Sequence, residues 1–311
     1  MEPRKPVDTF LDLPEDVARL IFEVAVVEDA CRPQYALISK QVQRWVEPII
    51  YRDVVVDLRR GWFHRTATAP VSSKPPDFFA LYVKSLFFRV YDASNNDRDA
   101  AQILQKCRSV HSLAIWSYIF PGSLPRLQAV ISSPSLAPTQ ISMSQFVLSS
   151  DESTNRSFSH PIFSSVTHLD ITCMEEEGEM VWTSLKNLSR LTHLSIDIYL
   201  VNDRNPAQLA KDILSNCPTD LRILIIWPSS DSYSTCALES IKSLVQGDVD
   251  RRCVVVSMSG NMYERPAANF ELTSEQLLKE WSTPSMAGGN DLWARAEQVV
   301  NDRRTKPSKE A

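Results

Sequence analysis

An apolar-x-x-apolar-x-apolar frame recurs through the middle of this chain at a nearly constant interval. It stands at Val83-x-x-Leu86-x-Phe88, Val110-x-x-Leu113-x-Ile115, Val166-x-x-Leu169-x-Ile171, Leu191-x-x-Leu194-x-Ile196 and Leu221-x-x-Leu224-x-Ile226. A degenerate copy, Pro138-x-x-Ile141-x-Met143, fills the gap, and another strand is expected at 253–258. The first positions are spaced by 27, 28, 28, 25 and 30 residues. Residues 99–107, 124–132, 206–217 and 237–246 lie between frames and read as short amphipathic helices. Each strand–helix unit has an apolar side that it cannot hide alone, so the units have to stack and share one continuous core. The expected fold class is therefore α/β, an irregular solenoid with a curved parallel sheet.

The rest of the composition narrows the function. The chain has 311 residues and only 7 glycines, and neither GxGxxG nor GxxxxGK[ST] occurs. The common nucleotide-cradling loops are thus absent, and no cofactor is expected. There is no Gly-x-Ser-x-Gly. Glu175-Glu176-Glu177 reads as a solvated loop rather than a general acid. Catalysis is not expected; an enzyme of unrecognised type would need a deep polar pocket with convergent titratable groups. A net charge of −5 gives no general attraction to nucleic acid or an anionic membrane. The N-terminus leads into no apolar signal core, and no apolar run approaches a membrane span, so a cytoplasmic or nuclear location is expected. The six cysteines are scattered without a CxxC pair and read as reduced thiols.

In a stacked array the frame residues point into the core and the residues between them face the inner curve of the sheet. That places Phe87, Arg89, Trp116, His168, Asp170, His193, Ser195, Asp197, Ile223, Ile225 and Trp227 on the inner face. Trp116, His168, Asp170, His193, Asp197 and Trp227 are the candidates for holding a partner, with the tryptophans as anchors. His168 and His193 share a frame position, which puts them about 5 Å apart on neighbouring strands. Asp170 is near, but no third strong ligand aligns, so no metal site is expected.

Residues 10–52 have another character. Pro14, Glu15 and Asp16 suit the first turn of a helix, and Val17, Leu20, Ile21, Val24 and Ala25 form one apolar stripe along it. A second helix is expected from near Pro33, with Ile38, Val42, Trp45, Val46 and Ile49 on one face, bent or ended by Pro48. A block this short cannot bury much alone and must lean on a partner or on the rest of the chain. Leu13-Pro14-Glu15-Asp16-Val17, Ile21, Leu37, Ser39-Lys40, Trp45 and Tyr51-Arg52, followed by Val54-Val55-Val56, resemble the F-box of fungal F-box-like proteins. Cys107 before one frame and Cys217-Pro218 before another are similar to the strand entries of leucine-rich repeats in F-box proteins, although the Asn of the commonest repeats is missing.

The resemblance implies a substrate-recognition adaptor of an SCF-type ubiquitin ligase. Leu13, Pro14, Val17, Ile21, Leu37 and Trp45 would dock a Skp-type linker subunit, and the concave repeat face would hold a protein substrate. The alternative is a repeat-based interaction scaffold without ligase docking. The expected organisation is an F-box-like motif at 8–52, the solenoid at 53–260, a helical cap at 261–302 and a disordered tail at 303–311. Within the cap, a helix at 272–281 starts from Thr273 or Ser274, and a second runs from Asp291 to about 301. These helices are expected to close the open end of the array. Leu292-Trp293-Ala294-Arg295-Ala296-Glu297 is also similar to the tail of fungal F-box-like proteins.

Overall fold

The computed structural model describes residues 13–305 except 30, 59–60, 71–72, 91–92, 118–123, 149–156, 174–181, 201–204, 231–232, 260–265 and 285–288. Phe10, Leu11 and the Glu175–Glu177 run therefore lie outside the described residues. Nine strands form one parallel sheet whose spatial order is the sequence order. They are β1 (Asp53–Asp57), β2 (Ser85–Val90), β3 (Ser112–Ser117), β4 (Gln140–Ser144), β5 (His168–Cys173), β6 (His193–Tyr199), β7 (Ile223–Ser229), β8 (Cys253–Met258) and β9 (Phe270–Leu272). Each strand pairs with the one before it and the one after it, which is the topology the repeat demands.

The frame residues stack in register. Leu86, Leu113, Ile141, Leu169, Leu194 and Leu224 form one ladder, and Phe88, Ile115, Met143, Ile171, Ile196 and Ile226 form the other. All are buried in one core shared with the helices outside the sheet. Each such side chain contributes roughly 1.5–3 kcal/mol of burial. The carbonyl of the residue before each of β1 to β6 accepts two successive N–H groups from the next repeat. Arg52, Lys84, His111, Thr139, Thr167 and Thr192 all play this part. Where that residue is threonine, its hydroxyl also donates to the preceding carbonyl: Thr139 to His111, Thr167 to Thr139 and Thr192 to Thr167, at 3.1–3.2 Å. A threonine ladder thus ties the central repeats.

Four helices pack outside the sheet: α5 (Ala93–Lys106), α6 (Pro125–Ile131), α7 (Pro206–Ser215) and α8 (Thr235–Gln246). They match the helices expected between frames. Among the described residues, the units around β5 carry the 3-10 turns Pro161–Phe163 and Trp182–Asn187 in place of α-helices. Two helices that the sequence pattern did not suggest, α3 (Trp62–Thr68) and α4 (Phe78–Tyr82), lie between β1 and β2.

At the N-terminus, α1 (Glu15–Glu28) is followed by a 3-10 turn, Pro33–Leu37, and α2 (Lys40–Ile50). The second helix starts at Lys40 and not near Pro33, because the Ser39 hydroxyl accepts from Val42 N and sets the start there. Val42, Val46 and Ile50 of α2 belong to the same core as the repeats. Tyr51 joins the two parts, with Trp62 and Phe78 edge-on at 5.1 and 4.9 Å. The block expected at 8–52 is thus fused to the first repeat.

The C-terminal part departs from expectation. β9 extends the sheet, but α9 (Ser274–Ser282) and α10 (Leu292–Thr305) do not close its end. They lie on the inner face, α9 against β1 and β2 and α10 against β7 and β8. Phe87, Ala114, Ile223, Ile225, Trp227, Val254 and Val256 from the sheet share a second core there with Trp281, Leu292, Trp293, Ala296 and Val300. The physical reason is that the inner face is apolar at β2, β3, β7 and β8, and those side chains need a cover. Nor is 303–311 a tail from its first residue, since α10 runs to Thr305. The Arg303 guanidinium donates to the carbonyls of Leu244, Val245, Arg251 and Cys253 and to Asn269 Oδ1. It passes over Gly247, which ends α8 at φ +81°, and a Cβ there would come within 3.2 Å of the Arg303 side chain.

Candidate functional site

Two sets of residues come from the sequence, and the structure treats them differently. On α1, Ala18, Phe22 and Val26 face inward, with Phe22 against Trp45 of α2 at a ring separation of 6.4 Å. Of the stripe read from the sequence, Val17, Leu20, Ile21 and Val24 face solvent together with Leu13 and Val27, and Ala25 is half-buried. Its spacing of three and four residues puts it on one side of the helix. Leu37 and Ile38, at the end of the 3-10 turn, are 84% and 57% exposed, and no residue of that turn is buried. Among the described residues, the remaining exposed large hydrophobics are Val55 and Leu81. Apolar surface of this kind makes α1 and the turn after it a candidate interaction site. The Arg19–Glu23 ion pair at 2.6 Å and the acidic first turn give α1 polar neighbours to this stripe.

Of the candidate docking residues, Leu13, Pro14, Val17, Ile21 and Leu37 are exposed. Trp45 is not with them; it packs into the core and holds α1 on α2.

The six candidates on the inner face do come together, but beneath the C-terminal helices. A hydrogen-bonded chain crosses five strands. Trp116 Nε1–H donates to Ser142 Oγ at 2.8 Å, and Ser142 Oγ–H donates to Asp170 Oδ2 at 2.7 Å. From the other side, Trp227 Nε1–H donates to Ser195 Oγ at 2.8 Å, and Ser195 hydrogen-bonds the Asp170 carboxyl. Burial pushes the Asp170 carboxyl above its ordinary range, and the two hydroxyls pull it back. Burial likewise pushes Asp197 up to about 6, with the Ser229 hydroxyl at 3.1 Å opposing and the Asp170 charge adding.

His168 and His193 stack with ring centroids 4.2 Å apart, and Trp293 of α10 meets both edge-on at 5.3 and 5.7 Å. Their Nδ1 atoms lie 2.9 and 2.8 Å from the hydroxyls of Thr167 and Thr192. His193 Nε2 lies 3.1 Å from Glu297 Oε1. Burial holds His168 down to about 3, and the neighbouring His193 charge lowers it further. Burial also lowers His193, against the pull of Glu297. Trp227, His193 and Asp170 are buried, and Trp116, His168 and Asp197 are half-buried. The six lie on the inner face where the frame puts them, but α9 and α10 pack over a surface expected to be open.

Among the described residues, no group of three or more His, Cys, Asp or Glu could hold a metal ion. Cys31, Cys107, Cys217, Cys236 and Cys253 are free thiols. No described helix is long and apolar enough to cross a membrane. The sequence reading missed Ser142, Trp293 and Glu297 as inner-face residues. It also missed the Thr139–Thr167–Thr192 ladder, whose signal was threonine recurring one residue into three successive frames. No protein-family model and no curated protein matches this chain.

Proposed function

We propose that this chain is a substrate-recognition adaptor of an SCF-type ubiquitin ligase, docking a Skp-type linker subunit through α1 and the turn after it. The observation that carries this reading is the exposed apolar surface on Leu13, Val17, Leu20, Ile21, Val24, Val27, Leu37 and Ile38. Leaving so much apolar surface in water forgoes roughly 25 cal/mol for every Å² that a partner could cover. The sequence resemblance of residues 10–52 to an F-box supports a Skp-type linker as that partner. α1 is anchored from behind by Phe22, Val26 and Trp45, so the docking side is presented by a rigid support. The array then holds the protein substrate, and the transfer chemistry belongs to other subunits.

The test is co-purification of the full chain with a Skp-type linker subunit, compared with a Val17→Asp/Ile21→Asp/Leu37→Asp variant. All three side chains are exposed, so circular dichroism and thermal midpoint should not change. Capture by the wild type that the variant loses is the expected result. A wild type that captures no linker would leave a repeat scaffold without ligase docking as the account.

A further inference from the structure

The inner face is covered over Asp170, His193 and Trp227, and α10 is pinned at both ends, by Glu280 to Leu292 N and Arg295 and by Arg303 to five acceptors. A partner of the array is therefore better sought on its outer side. There, α5 and α6 enclose a cleft of about 490 Å³ lined by Arg98, Gln102, Gln105 and Arg126, with Ser133 and Ser135 beyond them. That volume lies in the range of ordinary ligand pockets. Ala101, Ala129 and Val130 complete the lining, and the two alanines let a chain approach the helices closely.

The Asp97 carboxylate sets the geometry. It accepts Arg126 N at 3.0 Å and Leu127 N at 2.8 Å, so the first turn of α6 is held beside residue 97 of α5. Arg98 and Arg126 consequently leave adjoining stretches of backbone at one end of the cleft. Gln102 and Gln105 continue along the same side of α5, four and seven residues on.

The charges are unmatched. Among the described residues, no acidic side chain lines the cleft. Asp97 is buried and committed to the two backbone N–H groups of α6, and Asp99 is taken by His64 at 2.7 Å. Neighbouring cations have partners: Arg108 pairs with Asp77, and Lys106 donates to the Ala67 carbonyl. No described residue forms a hydrogen bond or ion pair with either the Arg98 or the Arg126 guanidinium. Two guanidinium forks lining one cleft suit an oxyanion, and the amides and hydroxyls beyond suit a peptide backbone.

We infer that the α5–α6 cleft binds an acidic polypeptide segment, with Arg98 and Arg126 holding its oxyanion group. Under the adaptor reading this is the substrate contact, but its test needs no ligase subunit and can fail or succeed alone. A fluorescent short peptide with one central glutamate is titrated with the full chain, beside the same peptide carrying phosphoserine or serine. The expected result is binding of a charged peptide over the serine peptide, competed by inorganic phosphate and weakened by salt. Arg98→Gln/Arg126→Gln, with an unchanged thermal midpoint, is expected to weaken it by about tenfold or more. Preference for glutamate identifies side-chain carboxylates as the ligand, and preference for phosphoserine identifies a phosphomonoester. Equal binding of all three peptides, no binding at about millimolar chain, or an unaffected double variant would overturn the inference.

Discussion

His168 and Asp197 lie on the same sheet face and respond to acid in opposite senses. Folding lowers the His168 pKa from 6.5 to about 3, so below 6.5 the unfolded chain takes up a proton that the folded one refuses. Its contribution to stability is therefore lost as pH falls through that window. Folding raises Asp197 from 3.8 to about 6, so between those values the folded chain keeps a proton that the unfolded one has released. Its contribution grows as pH falls through the window. Between pH 6 and 4 the two effects offset each other. Asp197→Asn is expected to leave the histidine effect exposed, so that the urea midpoint drops on acidification more steeply than in the wild type. His168→Gln should tilt the other way, and parallel pH profiles for the three proteins would refute the pairing. Gly247→Ala is a separate case. It forces a left-handed backbone on alanine and drives a Cβ toward Arg303, and should cost about 1–2 kcal/mol in a denaturation curve.

At the scale of elements, α1 and α2 differ in what covers them. Leu20→Asp/Ile21→Asp should move the unfolding midpoint little, within about 0.5 kcal/mol, because those side chains already stand in water. Val46→Asp buries an unpaired charge at a fully covered site and should prevent folding, read as loss of the circular dichroism transition. Asp97→Ala removes the acceptor from the start of α6 and should cost about 1–2 kcal/mol by urea titration. These contrasts also show what the sequence made legible. The strands were readable because each frame is a local pattern repeated in register, and the helices of α5 to α8 because their apolar spacing is local too. The stripe on α1 was readable as a stripe, but periodicity names a side of a helix and not what lies against it. Nothing local distinguished Val17 and Ile21, which face water, from Val42 and Val46, which face the core. Trp45 was grouped with the exposed set for the same reason. The start of α2 was misjudged because Pro33 and Ser39 are both plausible helix starts, and only the Ser39 bond to Val42 decides between them.

At the scale of the molecule, the decisive contacts are between residues far apart in sequence, and these were the least readable. The inner-face positions were correct, yet their cover comes from residues 281–300, which carry no mark in sequence of where they dock. Removing residues 270–305 should uncover Phe87, Ala114, Ile225 and Trp227. The truncated chain is expected to bind an apolar dye and elute as an aggregate; a monomeric, dye-silent product would show that the helices are dispensable. The placement of α9 against β1 and β2 has a further consequence, in the order of synthesis. Translation delivers the strands in the order in which they pair, so each emerges beside a finished neighbour. The helix that covers the first of them is made only after β9. From the time Phe87 leaves the ribosome until Trp281 follows it, a nascent array carries one wall bare, and a chaperone that recognises apolar strands has that interval in which to hold it.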